Sequence, residues 1–397
     1  MMSVWSSLVG QGDAVAKLSE AAASARAIVA SRAGSAARED ARSMSHAWLI
    51  TGPPGSGRSV AARAFAAALQ CTGEEVGCGT CPGCRTTMGR TNADVLFAAT
   101  ETSIINVETA RSLVLQAQSS PSQGLWRVIV VEDADRLGEA GANALLKAIE
   151  EPPEHTVWLL CAPSPEDMIA TIRSRCRHLG LRIPTANAVA DLLVREGVAT
   201  PEVALEAARA AQSHIGLARA LAADPEMRAR RRAIVTAPVS VRSVGEAVLA
   251  ADRLLETAKA QADAQVSERN AREKAELLRQ LGMEEDERAT KASRTLIRQL
   301  EEDQKRRSKR ALTDAIDRAL IDLLAIYRDV LMTQVGGDGA LINTDLADLV
   351  RSIADESTPR QTLSRVDHIE TARRRLKSNG NTLLVLEDMA ISLRPQA

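Results

Sequence analysis

Hydrophobic positions along the first half of the chain fall into two patterns. Short uninterrupted apolar runs at 47–51, 127–131 and 157–161 have the length and β-branching of strands buried on both faces. Helical spacing governs 59–69 and the segments flanking the other two runs. Residues 1–183 therefore predict an α/β domain on a parallel sheet. Residues 13–44 predict a helix rich in Ala and Arg, interrupted near Gly34, with 35–45 a solvated polar insertion. From Pro184 onward the strand pattern stops, and 186–196, 201–212 and 216–222 predict three short helices forming a small domain over 184–238. Beyond Pro238 the helices lengthen. More than half of residues 268–310 are charged, with few apolar anchors, which predicts a solvated helical hairpin or projecting arm rather than a nucleic-acid contact. Leu312, Ile316, Leu320, Leu323, Tyr327 and Leu331 then mark one apolar helical face, so an all-helical domain over 239–397 closes the chain.

Composition narrows the function classes. Lys and Arg number 50 against 51 Asp and Glu, a net charge of -1 that provides no whole-molecule field for nucleic acid. Aromatic residues make up 2%, so the helices must pack through small aliphatic side chains. No run of about 18 apolar residues appears and the first residues lack a signal-peptide pattern, so the expected location is cytoplasmic.

The turn after the first apolar run reads Gly52-Pro-Pro-Gly-Ser-Gly-Arg-Ser59, a phosphate-binding loop at every defining position but one. Gly52, Gly55 and Gly57 let backbone N–H groups converge on phosphate at a helix N-terminus, and Ser59 is placed to meet magnesium. Arg58 stands where lysine belongs; its planar fork cannot replace a compact ammonium, so ATP binding is open and hydrolysis is not expected. A glycine turn without a ligand is the plainer alternative. The second apolar run ends in Glu132-Asp133, the reverse of the Asp-Glu order that positions magnesium and water. Each carboxylate is thereby moved by one methylene where geometry matters to about half an ångström. Solvated strand-end acids with no metal are an equally weighted reading.

Cys71, Cys78, Cys81 and Cys84, with Gly77, Gly79, Pro82 and Gly83 among them, have a spacing suited to a structural zinc site with four protein ligands. A redox Cys-Pro-Gly-Cys pair is the rival, disfavoured by the two additional cysteines. Cys161 ends an apolar run and reads as a small buried hydrophobe, and the five histidines are scattered.

The segment Asn143-Ala-Leu-Leu-Lys-Ala-Ile-Glu-Glu-Pro-Pro-Glu154, followed by an apolar run and Thr171-Ile-Arg-Ser-Arg-Cys176, resembles the bacterial clamp-loader family of AAA+ ATPases. Leu8-Val-Gly-Gln11, His46-Ala-Trp-Leu49 and the cysteine cluster extend the resemblance over residues 4–183. It implies an AAA+ domain, a helical lid and a helical collar. It also implies that Arg175 is an arginine finger acting in trans, against a plainer role in capping the preceding helix or pairing with a carboxylate. Cys161-Ala-Pro-Ser164 departs from the polar sensor of the family's motor subunits, and Gly216-Leu-Ala-Arg219 resembles weakly a second sensor in which Arg219 would touch nucleotide. Features serving the chain's own ATP are altered while the one serving a neighbour is kept, a profile similar to the family's stator-type subunit. The partners implied are the motor subunits (gamma/tau), the delta subunit, the sliding clamp (beta), and primer-template DNA through the assembly. Two rivals remain: an ATP-hydrolysing gamma/tau-type motor, and a zinc-dependent DNA-binding module, which the lack of basic and aromatic residues around the cysteines disfavours.

Overall fold

The computed structural model describes residues 3–32, 43–98, 105–239, 241–281, 291–337, 339–378 and 380–394. Most of the polar insertion at 35–45, and residues 282–290 of the charged stretch, lie outside them. The chain divides into two compact units, Met1–Arg219 and Ala220–Ala397.

In the first unit, α1 (Gly12–Arg32), β1 (Ala47–Thr51), α2 (Arg58–Leu69) and α3 (Pro82–Met88) lead to β2 (Val95–Ala98) and α4 (Val107–Ala117). There follow β3 (Arg127–Val131), α5 (Glu139–Glu150), β4 (Thr156–Ala162), α6 (Ala170–Arg173) and β5 (Arg177–Gly180). Three more helices, α7 (Ala186–Arg195), α8 (Pro201–Ala210) and α9 (Ile215–Ala223), come next. The five strands are all parallel, in the order β2-β3-β4-β1-β5.

The three predicted strands are the three central ones, and their near-continuous apolar sequences follow from burial on both faces. Every residue of β4 is buried. Truncating a leucine there, as in Leu160→Ala, is expected to cost about 2–5 kcal/mol. Sequence reading missed β2 and β5, the edge strands. Phe97 and Ala98 are only half-buried, and in Arg177-His-Leu-Gly180 a single residue is buried. The alanine-rich face of α2 explains how that helix approaches the sheet closely. Ala61, Ala62, Ala64, Ala66, Ala67 and Ala68 are all buried, with Phe65 meeting Trp48 edge-on at 5.2 Å.

The second unit contains α10 (Pro225–Val239), α11 (Val244–Gln280), α12 (Lys291–Gln334), α13 (Ala347–Asp355), α14 (Pro359–Lys377) and α15 (Thr382–Ser392). A reciprocal cap starts α11: Glu246 N donates to Ser243 Oγ (3.2 Å) and Ser243 N to the Glu246 carboxylate (3.1 Å). The predicted apolar face of α12 forms a core with Leu254 of α11 and with Leu386 and Met389 of α15. Farther along, Ala262 and Val266 meet Ala311, and Arg307 bridges to Glu273 at 2.9 Å. At 1.5 Å per residue the 37 residues of α11 extend roughly 55 Å. The charged stretch is helical over 268–280 and 291–310 and mostly exposed.

Candidate functional site

Because the strands are parallel, their C-terminal ends share one side of the sheet, and the loop and acids that sequence analysis singled out emerge there together. Gly52 N donates to Pro163 O (3.1 Å) and Leu181 N to Thr51 O (2.7 Å), tying the loop to the ends of β4 and β5. Buried Gln11, part of Leu8-Val-Gly-Gln11 but assigned no role from sequence, stitches it further. Its amide donates to Ser56 O (3.2 Å) and Arg182 O (2.5 Å) and accepts from Arg182 N (3.2 Å). Gly55 (φ +90°) leaves no room for a side chain, since a Cβ would lie 3.0 Å from His214 Cα.

Three of the groups read from sequence as handling nucleotide, Arg58, Glu132 and Arg219, are engaged within the chain. Arg58 turns back, Nη1 donating to Gly52 O at 2.9 Å. Glu132 is paired with Arg90 at 2.5 Å, and Arg90 also lies over the Phe97 ring at 5.0 Å. Arg219 makes a two-pronged pair with Glu196, both N–H···O distances 2.9 Å. Ser59 is the second residue of α2, and Asp133 has no side-chain cap bond to the short turn of helix that follows. Asp135, unassigned from sequence, has its pKa raised by burial and then by the nearby Asp133 carboxylate. The loop, the strand-end acids and Glu196–Arg219 all belong to the first unit. The weak second-sensor expectation for Arg219 meets a specific competitor in Glu196.

Arg175 lies toward the other end of the sheet. β5 runs parallel to β1 with Arg177 opposite Trp48 and Gly180 opposite Thr51, so Arg175 precedes the strand whose far end reaches the loop. The four residues of β5 alone extend roughly 13 Å. Arg175 caps α6 by donating to Thr171 O (2.9 Å) and pairs with Glu150 at 3.2 Å, the two plainer roles foreseen for it. Both members are solvent-exposed, at 35% and 54%, and exposed pairs of this kind contribute about 0–1 kcal/mol. Its guanidinium is held loosely at the surface.

The four cysteines converge. Their sulfurs all lie within 4.8 Å of one another, with Cys71–Cys78 at 3.7 Å and Cys71–Cys81 at 3.9 Å, a group that can hold one metal ion. Backbone N–H groups point at the sulfurs, from Cys81 to Cys78 and from Cys84 to Cys81, each at 3.4 Å. Burial works against the Cys81 thiolate, but donors from Cys84 and Thr72 outweigh it and bring the pKa to about 6. Burial pushes the Cys84 thiol up. The knuckle is anchored on the rest of the unit: Arg26 donates to Glu74 O (2.9 Å) and Cys71 O (3.0 Å), and Val4 N to Gly77 O (3.0 Å). Gly83 permits the start of α3 to press on the end of α2, where a Cβ would fall 2.0 Å from Gln70 O.

Asp94, which sequence analysis overlooked, holds the turn before β3. Its buried carboxylate accepts from Ser122 N (2.6 Å), Gln123 N (2.8 Å), Gly124 N (2.6 Å) and Ser122 Oγ (3.0 Å). Burial opposes its ionisation, but these donors together lower its pKa.

Residues 35–185 match the family profile described as DNA polymerase III, delta subunit. The matched residues lie in the first unit, which over that stretch is similar to subunits of DNA polymerase III. The gamma/tau subunit of Mycobacterium tuberculosis is 35% identical over 162 residues, covering 39% of this chain and 28% of that protein. The delta' subunit of Escherichia coli is 33% identical over 189 residues (47% and 57%), and that of Yersinia pestis 38% over 143 (35% and 42%). These alignments thus span between about a quarter and just over half of the relatives' own lengths. Among solved structures, a gamma-subunit-related protein from Thermotoga maritima aligns over 94% of this chain and 98% of its own at 17% identity, with a TM-score of 0.42. The first unit is the α/β fold on a parallel sheet expected from sequence, and no helix among the described residues is long and apolar enough to cross a membrane.

Proposed function

We propose that this chain is the delta prime, or stator, subunit of a DNA polymerase III clamp loader, and that Arg175 is an arginine finger for a neighbouring motor subunit. The neighbour's transferring phosphoryl group gathers negative charge, and a guanidinium delivered in trans typically accelerates that step by about 10³–10⁵. The 33–38% identity to delta' subunits and the matching family profile support this reading. Gamma/tau relatives reach similar identity, so similarity alone does not choose between stator and motor.

One contrast carries the choice. Arg58 turns back onto its own loop and Glu132, 15% exposed, is held by Arg90, whereas Arg175 is paired only at the surface with Glu150 and is separated by the length of β5 from its own phosphate loop. In this account the chain positions a cation and performs no chemistry itself. ATP and magnesium act in the neighbour's site. Assembly with gamma/tau and delta subunits then prepares the sliding clamp for loading onto primed DNA, as expected of a cytoplasmic replication factor.

Zinc is the ion we assign to the cysteine cluster. Thiolates 2.3 Å from a tetrahedral ion lie about 3.8 Å apart, close to the 3.7 and 3.9 Å separations among these sulfurs. Four protein ligands leave no open position, so the role would be to brace the knuckle. The three-part division at 183 and 238 into AAA+ domain, lid and collar belongs to the same proposal.

Turnover by the purified chain tests the stator reading. The expected result is no ATP hydrolysis above background in the isolated chain and activity once motor subunits are added; brisk hydrolysis by the isolated chain would establish the motor reading instead.

A further inference from the structure

The second unit contains a cleft of about 100 Å³ walled by Val239, Leu349, Ile353 and Leu393. That volume is several times the roughly 10–15 Å³ needed for one water. Two polar side chains that line it have no hydrogen-bonding partner among the described residues. Arg365, only 6% exposed, makes no hydrogen bond or ion pair there, and its guanidinium lies 5.9 Å from the Tyr327 ring centre. Tyr327, 1% exposed, lines the same cleft without a partner for its hydroxyl. Arg365 interacts electrostatically with the Glu356 carboxylate across the cleft without pairing with it, so its guanidinium donors face the cleft with no acceptor among the described residues.

The remaining charges set the sign of what fits. Arg242 and Glu356 also line the cleft and are paired at 2.8 Å, with Ser352 Oγ donating to the same carboxylate at 3.1 Å. Two guanidiniums against one carboxylate leave a single positive charge. The complement is a monoanion with a short apolar stem. A carboxylate meets this description: its two oxygens match Arg365 and the Tyr327 hydroxyl, and an alkyl stem suits the aliphatic walls. A phosphate dianion would exceed the available charge.

We propose that this cleft binds a small organic carboxylate, with Arg365 as the anchoring cation and Tyr327 as the second donor. The site is far in sequence from the phosphate loop, the cysteines and Arg175, and it does not depend on the stator reading.

The chain has a single tyrosine, so ring-labelled tyrosine gives one resonance set reporting directly on the cleft. The full chain is titrated with butyrate, with its neutral isostere butyramide and with inorganic phosphate. The expected result is a saturable Tyr327 shift with butyrate and little or none with the other two. Arg365→Gln should weaken butyrate binding about tenfold or more, the loss of one charge-assisted bond. Glu356→Gln, which removes the resident negative charge at an exposed pair, should tighten it several-fold. If Arg365→Gln fails to fold by circular dichroism, the butyrate–butyramide discrimination and the Glu356→Gln tightening still decide. Absence of a saturable shift with butyrate would mean the cleft holds only water and overturn the site. Equal response to butyramide, or stronger response to phosphate, would overturn the carboxylate assignment.

Discussion

The two ends of the central sheet treat their charged groups in opposite ways. At the C-terminal end, Arg58 is bonded to Gly52 O, and Glu132, 15% exposed, is held by Arg90. At the N-terminal end, Arg175 has one ion pair, with Glu150 at the surface, in addition to its bonds to Thr171 O and Ser174 Oγ. A pair of that kind is worth so little that a neighbour's phosphate can displace it at almost no cost. The lesson concerns reserve: charge bonded internally supports the fold, and charge held loosely at a surface remains free for another molecule.

Removing the knuckle should produce the largest structural effect. Cys81→Ser with Cys84→Ser is expected to reduce bound zinc to background and expose residues 71–88 to proteolysis while the central sheet survives. Metal analysis with limited proteolysis checks this, and an unchanged cleavage pattern would deny the knuckle a bracing role. Asp94→Asn comes next. It leaves N–H donors facing an amide, for which about 1–3 kcal/mol of destabilisation is expected by urea unfolding. The pKa of Asp94 is lowered on folding, so its stabilisation is fully present above the unfolded value near 3.9 and lost as pH falls through the folded value. The variant should therefore lose less stability than the parent between about pH 5 and pH 2, and parallel acid limbs would contradict the assignment. The smallest effect belongs to Glu150→Ala. Breaking the surface pair should change stability by less than about 1 kcal/mol and leave turnover of the assembled loader unchanged within error. A large loss would mean that Glu150 positions the arginine rather than merely holding it.

Much of this was legible in the sequence, for identifiable reasons. β1, β3 and β4 announce themselves because strands buried on both faces must be apolar throughout, and the phosphate loop because only glycines allow its path. The cysteine cluster was readable because its ligands are close in sequence. The edge strands were not: β5 reads Arg-His-Leu-Gly, with one buried residue and no alternation to detect. Nor were the pairs that decide the site. Arg90 and Glu132 are 42 positions apart, and Arg219 and Glu196 are separated by 23, so only the folded chain brings them together. Asp94 was missed because most of its partners are backbone N–H groups some 30 positions away, which have no signature in side-chain composition. In the second unit the apolar face of α12 was predicted, while the lengths of α11 and α12 were not, since their charged outer portions lack the periodic anchors on which such readings depend.

The central claim is that Arg175 completes catalysis in another subunit. Reconstituting the loader with Arg175→Ala in this chain and measuring DNA-stimulated ATP hydrolysis tests it most directly. The account predicts an intact assembly in which hydrolysis at the adjoining site falls by about 10³ or more, while equal turnover with the parent loader would contradict it.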